Sequence, residues 1–282
     1  MTKQELTTTP AAENIGELKV IPVNDWQGMI KAKDIAGAMS VNSFDDGPKK
    51  AGAAIKESDL IRIKIPSGGS TTNWTIPRIT GDETIPAIEG ILVRIVARSM
   101  LWPTEDPVEG SMPALVTSDF VTGRRIADAE DLPAELLRQL EPFGVGDMRH
   151  RADKTPYFDA YDWASLPQAQ YGSGKNGRGK AVNDQRVCFI LRKGDIMPVI
   201  VTIGTGSFGN FRKFLRGLTQ AGLPYYRSVV SFTLAKTKNE TGQPYCEVCP
   251  TLIGVLSEDD AAAVQKAWGS IVDAAVAGSF TG

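Results

Sequence analysis

Residues 186–203 read RVCFILRKGDIMPVIVTI, and this segment sets the expected fold class. Its two apolar runs, 186–192 and 196–203, predict β-strands joined by a tight turn that contains Gly194. A helix is predicted at 208–221, since apolar residues recur at helical spacing until Gly222, a residue that commonly terminates helices. Strand signals continue on both sides of this unit.

Two further strands and a terminal helix are predicted on the C-terminal side. Residues 228–236 are rich in β-branched side chains, and a turn at 239–242 leads to a partner strand at 245–256. Ser257, followed three residues later by Asp260, is typical of a helix N-terminus. The alanine-rich residues behind it predict that the chain ends in a helix.

A hairpin with a basic outer face is predicted on the N-terminal side. In residues 60–65, LIRIKI, isoleucines alternate with Arg62 and Lys64, so the two cations share the face that points away from the core. The glycine-rich turn 66–70 and a return strand at 72–76 complete the predicted hairpin.

A third strand, 91–98, carries Arg94 and Arg98 on its outer face. In all, the sequence predicts seven strands that cluster rather than alternate with helices. This order is typical of an α+β fold, mainly antiparallel β, built as a barrel or a sandwich.

The domain organisation expected from the sequence is simple. A flexible polar arm precedes a single β domain, which contains one loop-rich insert and is followed by the C-terminal helix and a short tail. The predicted bounds are 1–16 for the arm, 17–257 for the domain, about 103–185 for the insert and 258–282 for the helix and tail. Short helices are also predicted near 29–39 and at 132–140.

Composition excludes several classes of protein. The chain has one histidine and three cysteines, so a multi-histidine metal site and a disulfide framework are both excluded, and a reducing compartment is expected. No apolar segment is long enough to span a membrane, and residues 1–17 lack the apolar core of a signal peptide. The expected location is the cytoplasm, that of the host cell if a phage encodes the protein.

Charge is strongly segregated along the chain. Residues 170–238 hold 12 basic and 2 acidic side chains, a net charge of +10 in a chain whose total is −2. Residues 100–147 carry −7. Because local potential is what a polyanion meets, the basic block indicates a polyanion ligand. The alternative is that acidic blocks balance it in the folded protein.

Two glycine motifs imitate phosphate-binding loops. Residues 204–209, GTGSFG, match G-x-G-x-x-G, but no acidic residue follows at the spacing that a dinucleotide ribose requires. Residues 174–180, GKNGRGK, match G-x-x-x-x-G-K but lack the hydroxyl residue that binds magnesium. Neither a dinucleotide enzyme nor an NTPase is therefore expected.

The sequence gives little evidence for a metal site. Cys246 and Cys249 have ligand spacing, but they form the only such pair, and positions i and i+3 of a strand point to opposite faces. Acids that could hold magnesium for a nuclease read as loop and helix-start residues; they are Asp119, Asp128, Glu130 and Asp131. We predict no enzyme activity, no cofactor and no metal, with a metal-dependent nuclease as a distant alternative.

The strongest constellation predicts binding to single-stranded nucleic acid. The helix at 208–221 carries basic residues opposite its apolar face, and aromatic residues precede the basic segment 171–180, which is expected to be mobile until a ligand binds. Cations can track phosphates while aromatic rings stack on bases. The candidate contacts are Arg62, Lys64, Trp74, Arg94, Arg98, Tyr157, Tyr161, Trp163, Tyr171, Lys175, Arg178, Lys180, Arg212, Lys213, Arg216 and Lys236.

Residues 210–245, NFRKFLRGLTQAGLPYYRSVVSFTLAKTKNETGQPY, resemble a segment of proteins from phages and related mobile elements. The upstream segment IKIPSGGSTTNWTIP, residues 63–77, is also similar. The resemblance implies a replication or recombination accessory that binds single-stranded DNA on an OB-like barrel. The resemblance also implies several cysteines in the middle region, but this chain has none between Met100 and Val187.

The function predicted from the sequence is therefore sequence-tolerant binding of single-stranded DNA in phage or mobile-element replication or recombination. The expected partners are single-stranded DNA, further copies of the chain and replication or recombination proteins, with no membrane partner. The alternative is a structural or assembly protein of the virion type, in which acidic and basic blocks pair between subunits.

Overall fold

A computed structural model describes residues 20–21, 57–69, 71–104, 111–239 and 242–278 of the protein. The predicted arm at 1–16, the helix near 29–39 and the last four residues of the tail lie outside the described residues. Strands of the described part are β1 (Arg62–Ile63), β2 (Trp74–Ile76), β3 (Glu83–Ile85), β4 (Ala87–Leu101), β5 (Leu115–Thr117), β6 (Thr122–Arg125), β7 (Gly144–Val145), β8 (Arg149–His150), β9 (Pro156–Tyr157), β10 (Ala160–Asp162), β11 (Asn183–Arg192), β12 (Val199–Gly204), β13 (Ser228–Lys238) and β14 (Pro244–Val255). Its α-helices are α1 (Ala134–Leu140), α2 (Phe208–Gln220), α3 (Glu258–Val264) and α4 (Ser270–Gly278), and the π-helical turn Gln265–Gly269 joins α3 to α4.

The long strand β4 is the centre of a ten-stranded sheet. One edge of β4 pairs with β11, which pairs with β12, and β1 adds in parallel outside β12. The other edge pairs with β13 near the start of β4 and with β5 near its end. From there β13 leads to β14, and β5 leads to β6, β10 and β7. The predicted α+β class with mainly antiparallel strands is confirmed, and the described strands form an open sheet.

Both faces of the central strands are buried, so the sheet lies between two apolar layers. On β11, Val187 and Phe189 face the layer covered by α3 and α4, whereas Cys188 and Ile190 face the layer covered by α2 and the β2–β3 hairpin. A hydrogen bond ties the turn between α3 and α4 to the segment before β12, since the Trp268 indole N–H donates to the carbonyl oxygen of Ile196 at 2.9 Å.

The insert packs around an apolar cluster of its own. Aromatic side chains that belong to no periodic pattern in the sequence, Phe158, Tyr161 and Trp163, are buried there against α1. The backbone N–H of Phe158 donates to the Tyr161 hydroxyl at 3.1 Å, which satisfies that buried oxygen. The β5, β6, β10 and β7 strands connect this cluster to the end of β4.

The hairpin predicted from residues 60–76 is wrong. Strand β1 is only two residues long and pairs in parallel with β12, while β2 pairs with β3, a strand that the sequence did not reveal. The cause is the turn Ser67–Gly69, which carries the chain to Pro244 and Tyr245 of β14 instead of reversing it. The predicted count of seven strands is also too low, because the strands of the insert have only two to four residues each.

None of the helices in the described part of the chain is long and apolar enough to cross a membrane.

Replacing Trp74 tests whether this residue is part of the core. Its side chain is fully buried, and its indole N–H donates to the carbonyl oxygen of Phe232 at 2.8 Å. We expect Trp74→Phe to lower the free energy of unfolding by about 2–4 kcal/mol, because it removes this hydrogen bond and leaves a cavity. Urea denaturation measures the change, with Tyr171→Phe, at an exposed position, as the control. Equal stability of the two variants would contradict the burial.

Candidate nucleic-acid interface

Helix α2 presents a basic face because its apolar residues recur at helical spacing. Phe211 and Leu218 are buried against the sheet, and Phe214 and Leu215 are half-buried beside them. The three cations between these positions point to solvent; they are Arg212, Lys213 and Arg216. The predicted amphipathic helix and its exposed cations are therefore present in the fold.

Two guanidinium groups lie against one aromatic ring at the start of α2. The Arg186 Cζ atom is 5.2 Å from the centroid of the Phe208 ring, and the Arg212 Cζ atom is 5.6 Å from the same centroid. Arg186 also contacts Phe120, with its Cζ atom 5.6 Å from that ring centroid. These distances are within the range of cation–π attraction. We call Phe120, Arg186, Phe208, Arg212, Lys213 and Arg216 the basic strip.

The positive charge of the basic strip is not neutralised within the described part of the chain. No carboxylate there forms an ion pair with any of its four cations. Burial lowers the pKa of the half-buried Arg186 guanidinium, Asp184 acts in the opposite direction, and repulsion from Arg212 lowers the pKa further. An anion bound between the two arginines would relieve this repulsion.

The cations predicted on strand faces do not join the basic strip. Arg98 is buried, and its guanidinium binds the buried carboxylate of Glu57, which also pairs with Arg62. Arg94 forms an ion pair of 2.9 Å with Asp273 in α4. These three arginines lie on the sheet face that α3 and α4 cover, whereas α2 covers the opposite face. The charges of these three arginines are paired with carboxylates within the fold.

Two predicted residues outside this group stay exposed. Lys64 follows β1, and its neighbours Ile63 and Ile65 pack toward α2, so Lys64 belongs to the same side as the strand arginines. Lys236 is exposed on β13, where it lies opposite Cys246 of β14. We leave both lysines outside the basic strip.

Most of the predicted stacking aromatics are core residues. Trp74, Tyr161 and Trp163 are each at most 2% exposed, so they cannot stack on a base, and we remove them from the candidate interface. Tyr157 is half-buried, and the Arg125 Cζ atom lies 5.1 Å from the centroid of the Tyr157 ring. Tyr171 is different, because 86% of its surface is exposed.

The glycine-rich loop that follows Tyr171 forms hydrogen-bonded turns. The Gly172 N–H donates to the carbonyl oxygen of Gly179 at 2.6 Å, and the Ser173 hydroxyl accepts from the Ala181 N–H at 3.0 Å. Gly174 is required here, since a Cβ atom would lie 2.1 Å from the Arg178 carbonyl oxygen. The glycines of this loop therefore allow its turns to form.

The base of this loop is tied to the sheet next to the basic strip. The Lys180 ammonium pairs with Asp184 at 3.1 Å, and the Ser99 hydroxyl of β4 donates to the same carboxylate at 2.5 Å. Asp184 is two residues before Arg186 on β11. The exposed loop residues Lys175 and Arg178 consequently extend from the same end of β11 as the basic strip.

The two glycine motifs and the cysteines have packing roles. A Cβ atom at Gly206 would lie 3.0 Å from the Tyr245 ring, so this glycine lets the start of α2 approach β14. The Ser207 hydroxyl accepts from the Val248 N–H at 2.9 Å. Burial raises the pKa of the Cys188 thiol, and burial together with Glu247 raises that of Cys249.

Two of the acids considered for metal binding, Asp119 and Asp128, cap turns. The Asp119 carboxylate accepts from the backbone N–H groups of Thr122 and Val121, which lower its pKa, and Asp128 accepts from the Glu130 N–H. Glu130 also pairs with Arg151. Across the ranges that the structure describes, no three His, Cys, Asp or Glu side chains are grouped as metal ligands.

Sequence reasoning missed three residues of the basic strip, Phe120, Arg186 and Phe208. Arg186 gave a usable signal, because alternation places it on the same strand face as the buried Cys188 and Ile190. A cation on an apolar face marks the point where the face meets solvent or a ligand. Phe208 occupies a variable position of the G-x-G-x-x-G match, which gives it no predicted role. Phe120 is far from Arg186 in sequence, and only the tertiary structure brings the two together.

A variant of Glu57 separates structural cations from binding cations. We expect Glu57→Gln to lower the free energy of unfolding by about 3–5 kcal/mol, because the buried Arg98 loses its carboxylate. Asp273→Asn breaks the Arg94 pair, whose side chains are 42% and 54% exposed, so its loss is expected to stay below about 1 kcal/mol. Urea denaturation measures both, and similar losses would show that Arg98 is not held as described.

Comparison with protein-family models, with curated proteins and with solved structures finds no match to this chain. The interpretation of the basic strip therefore rests on its geometry, its charge and the chemistry of its side chains.

Proposed function

We propose that the protein binds single-stranded DNA without sequence preference, in phage or mobile-element replication or recombination. The observation that carries this proposal is the pair of guanidinium groups, Arg186 and Arg212, on the Phe208 ring. A phosphodiester bound near both groups would neutralise two cations that repel each other and that form no ion pair with a carboxylate among the described residues. Lys213 and Arg216 continue the positive track along α2.

The surroundings of α2 favour a single strand over specific duplex recognition. A recognition helix reads base edges with side chains near its N-terminus. In α2 the Asn210 amide, a group suited to reading adenine, donates instead to the Glu247 carboxylate at 3.1 Å. Phe208 is engaged by the two arginines. These contacts take Asn210 and Phe208 away from base reading, and they favour phosphate binding by the cations of the helix.

An OB-like barrel is part of the same proposal. Strands β1 and β14 are the outer strands of the order β1-β12-β11-β4-β13-β14. Gly69, six residues after the end of β1, lies against Pro244 and Tyr245 of β14, with its ideal Cβ position 3.2 Å from the Pro244 Cβ atom. This contact supports the proposal, because it links the segment after β1 to the strand at the other end of the order, as coiling toward a barrel requires.

The first experiment is fluorescence anisotropy of a labelled oligo(dT) of about 30 nucleotides, with matched duplex DNA and RNA, at low and moderate salt. Preferential binding of the single strand that weakens steeply with salt is the expected result. A protein that ignores single strands at low salt overturns the proposal. Self-association that persists in high salt would then favour the assembly function.

Removing helix cations is expected to change both affinity and its salt dependence. Arg212→Ala and Arg216→Ala should each weaken oligo(dT) binding and reduce the slope of log K against log salt by about 0.7, since each removes one phosphate contact. Lys266→Ala is the matched control, because Lys266 is an exposed cation on the opposite side of the sheet. An equal effect of Lys266→Ala would indicate that net charge alone drives binding.

Tyr171 is expected to stack on an unpaired base. Tyr171→Ala should weaken oligo(dT) binding by about five- to a hundredfold, whereas Tyr171→Phe keeps the ring and should bind like the wild type. Duplex DNA, whose bases are already stacked, should show no loss in either variant. Anisotropy titrations measure these affinities, and a loss in Tyr171→Phe equal to that in Tyr171→Ala would contradict stacking.

A further inference from the structure

The turn between β5 and β6 holds Phe120 in an unusual backbone conformation. Phe120 has a φ of 61°, in the left-handed region that bulky residues rarely adopt. After Phe120, the N–H groups of Val121 and Thr122 each donate to the Asp119 carboxylate at 2.9 Å, and these two hydrogen bonds fix the turn. The Phe120 N–H itself donates to the Thr117 hydroxyl at 3.0 Å.

This conformation places the Phe120 ring on Arg186. The guanidinium of Arg186 is in contact with two rings, Phe120 from the insert and Phe208 from α2. Its Nη1 atom also donates to the Gln185 carbonyl oxygen at 2.9 Å, so the group is held by three contacts before any ligand arrives. A planar cation held in one orientation loses less conformational freedom when it binds a phosphate.

We propose that Arg186 is a preset phosphate-binding group of the DNA site and that Phe120 is the residue that positions it. This inference rests on the proposed function and deepens it, because it assigns the insert a part in DNA binding. Phe120 acts through Arg186 and not by touching DNA. Its effect must therefore disappear when Arg186 can no longer stack.

A double-mutant cycle tests this dependence. Phe120→Leu keeps an apolar side chain in the insert but removes the ring face, and Arg186→Lys keeps the charge but removes the planar guanidinium. Each variant should weaken oligo(dT) binding about two- to fivefold, the range expected for an exposed cation–π contact. The double variant should bind no more weakly than the weaker single variant. The salt slope should equal that of the wild type in all three, because every charge is retained.

Arg186→Gln provides the matched comparison. It removes the charge, so it should weaken binding and also reduce the salt slope by about 0.7. In the free protein, the Arg186 Nε–H signal in a ¹⁵N spectrum should lie at a ring-current-shifted position that Phe120→Leu moves toward ordinary values. Urea denaturation of each variant excludes loss of folding as the cause of any change in affinity.

The outcomes separate this inference from the proposed function. Wild-type protein that binds no oligo(dT) overturns both. Wild-type binding with no effect of Phe120→Leu, or with losses that multiply in the double variant, overturns the positioning role alone. Loss of salt slope in Phe120→Leu also overturns it, since that result would mean that the cation itself had been displaced.

Discussion

Strand β11 contributes side chains to both apolar layers of the protein, and its two-sided burial is the constraint on which the other features depend. Because β4 and β12 pair with its two edges, β11 has no exposed edge along most of its length. Helices must then cover both faces, α3 and α4 on one and α2 on the other. Arg186 lies where the apolar face under α2 ends, so the same constraint brings a cation to the start of that helix.

Two groups of cations in the described part of the chain have different surroundings. One group is matched to carboxylates, and the network of Arg78, Glu83, Arg192 and Asp195 shows how such charges join the β2–β3 hairpin to the turn before β12. In the basic strip, Arg186 and Arg212 contact aromatic rings where the arginines of the first group contact carboxylates. Rings hold a guanidinium in place without cancelling its charge, so the strip keeps its attraction for an anion.

The strands of the central sheet could be predicted from the sequence because both their length and their β-branched composition are distinctive. Strands β4, β11, β12, β13 and β14 and helix α2 all lie close to their predicted positions. The pairing of β1 could not be predicted, since two residues carry no register information and the partner is β12, far along the chain. The burial of Tyr161 and Trp163 was also inaccessible, because their cluster has no sequence period.

The candidate site was predicted in part, for an identifiable reason. Helical periodicity reveals which side chains of one helix share a face, so Arg212, Lys213 and Arg216 were found. It does not reveal which carboxylates other segments supply, and Arg94 and Arg98 were assigned to the surface although α4 and Glu57 provide partners for them. Contacts between separate elements, such as that of Phe120 with Arg186, leave no trace in local sequence.

The parallel pairing of β1 with β12 also has a consequence for biosynthesis. Arg62 aligns with Ile200, so about 140 residues of chain separate the two strands. At translation rates of about 5–20 residues per second, synthesis of the partner of β1 takes roughly 7–28 seconds after β1 itself has been made. The buried apolar residue of that strand, Ile63, is unprotected during this interval. Pairing of β1 therefore waits for β12, and the sheet is completed only after β13 and β14 have also emerged.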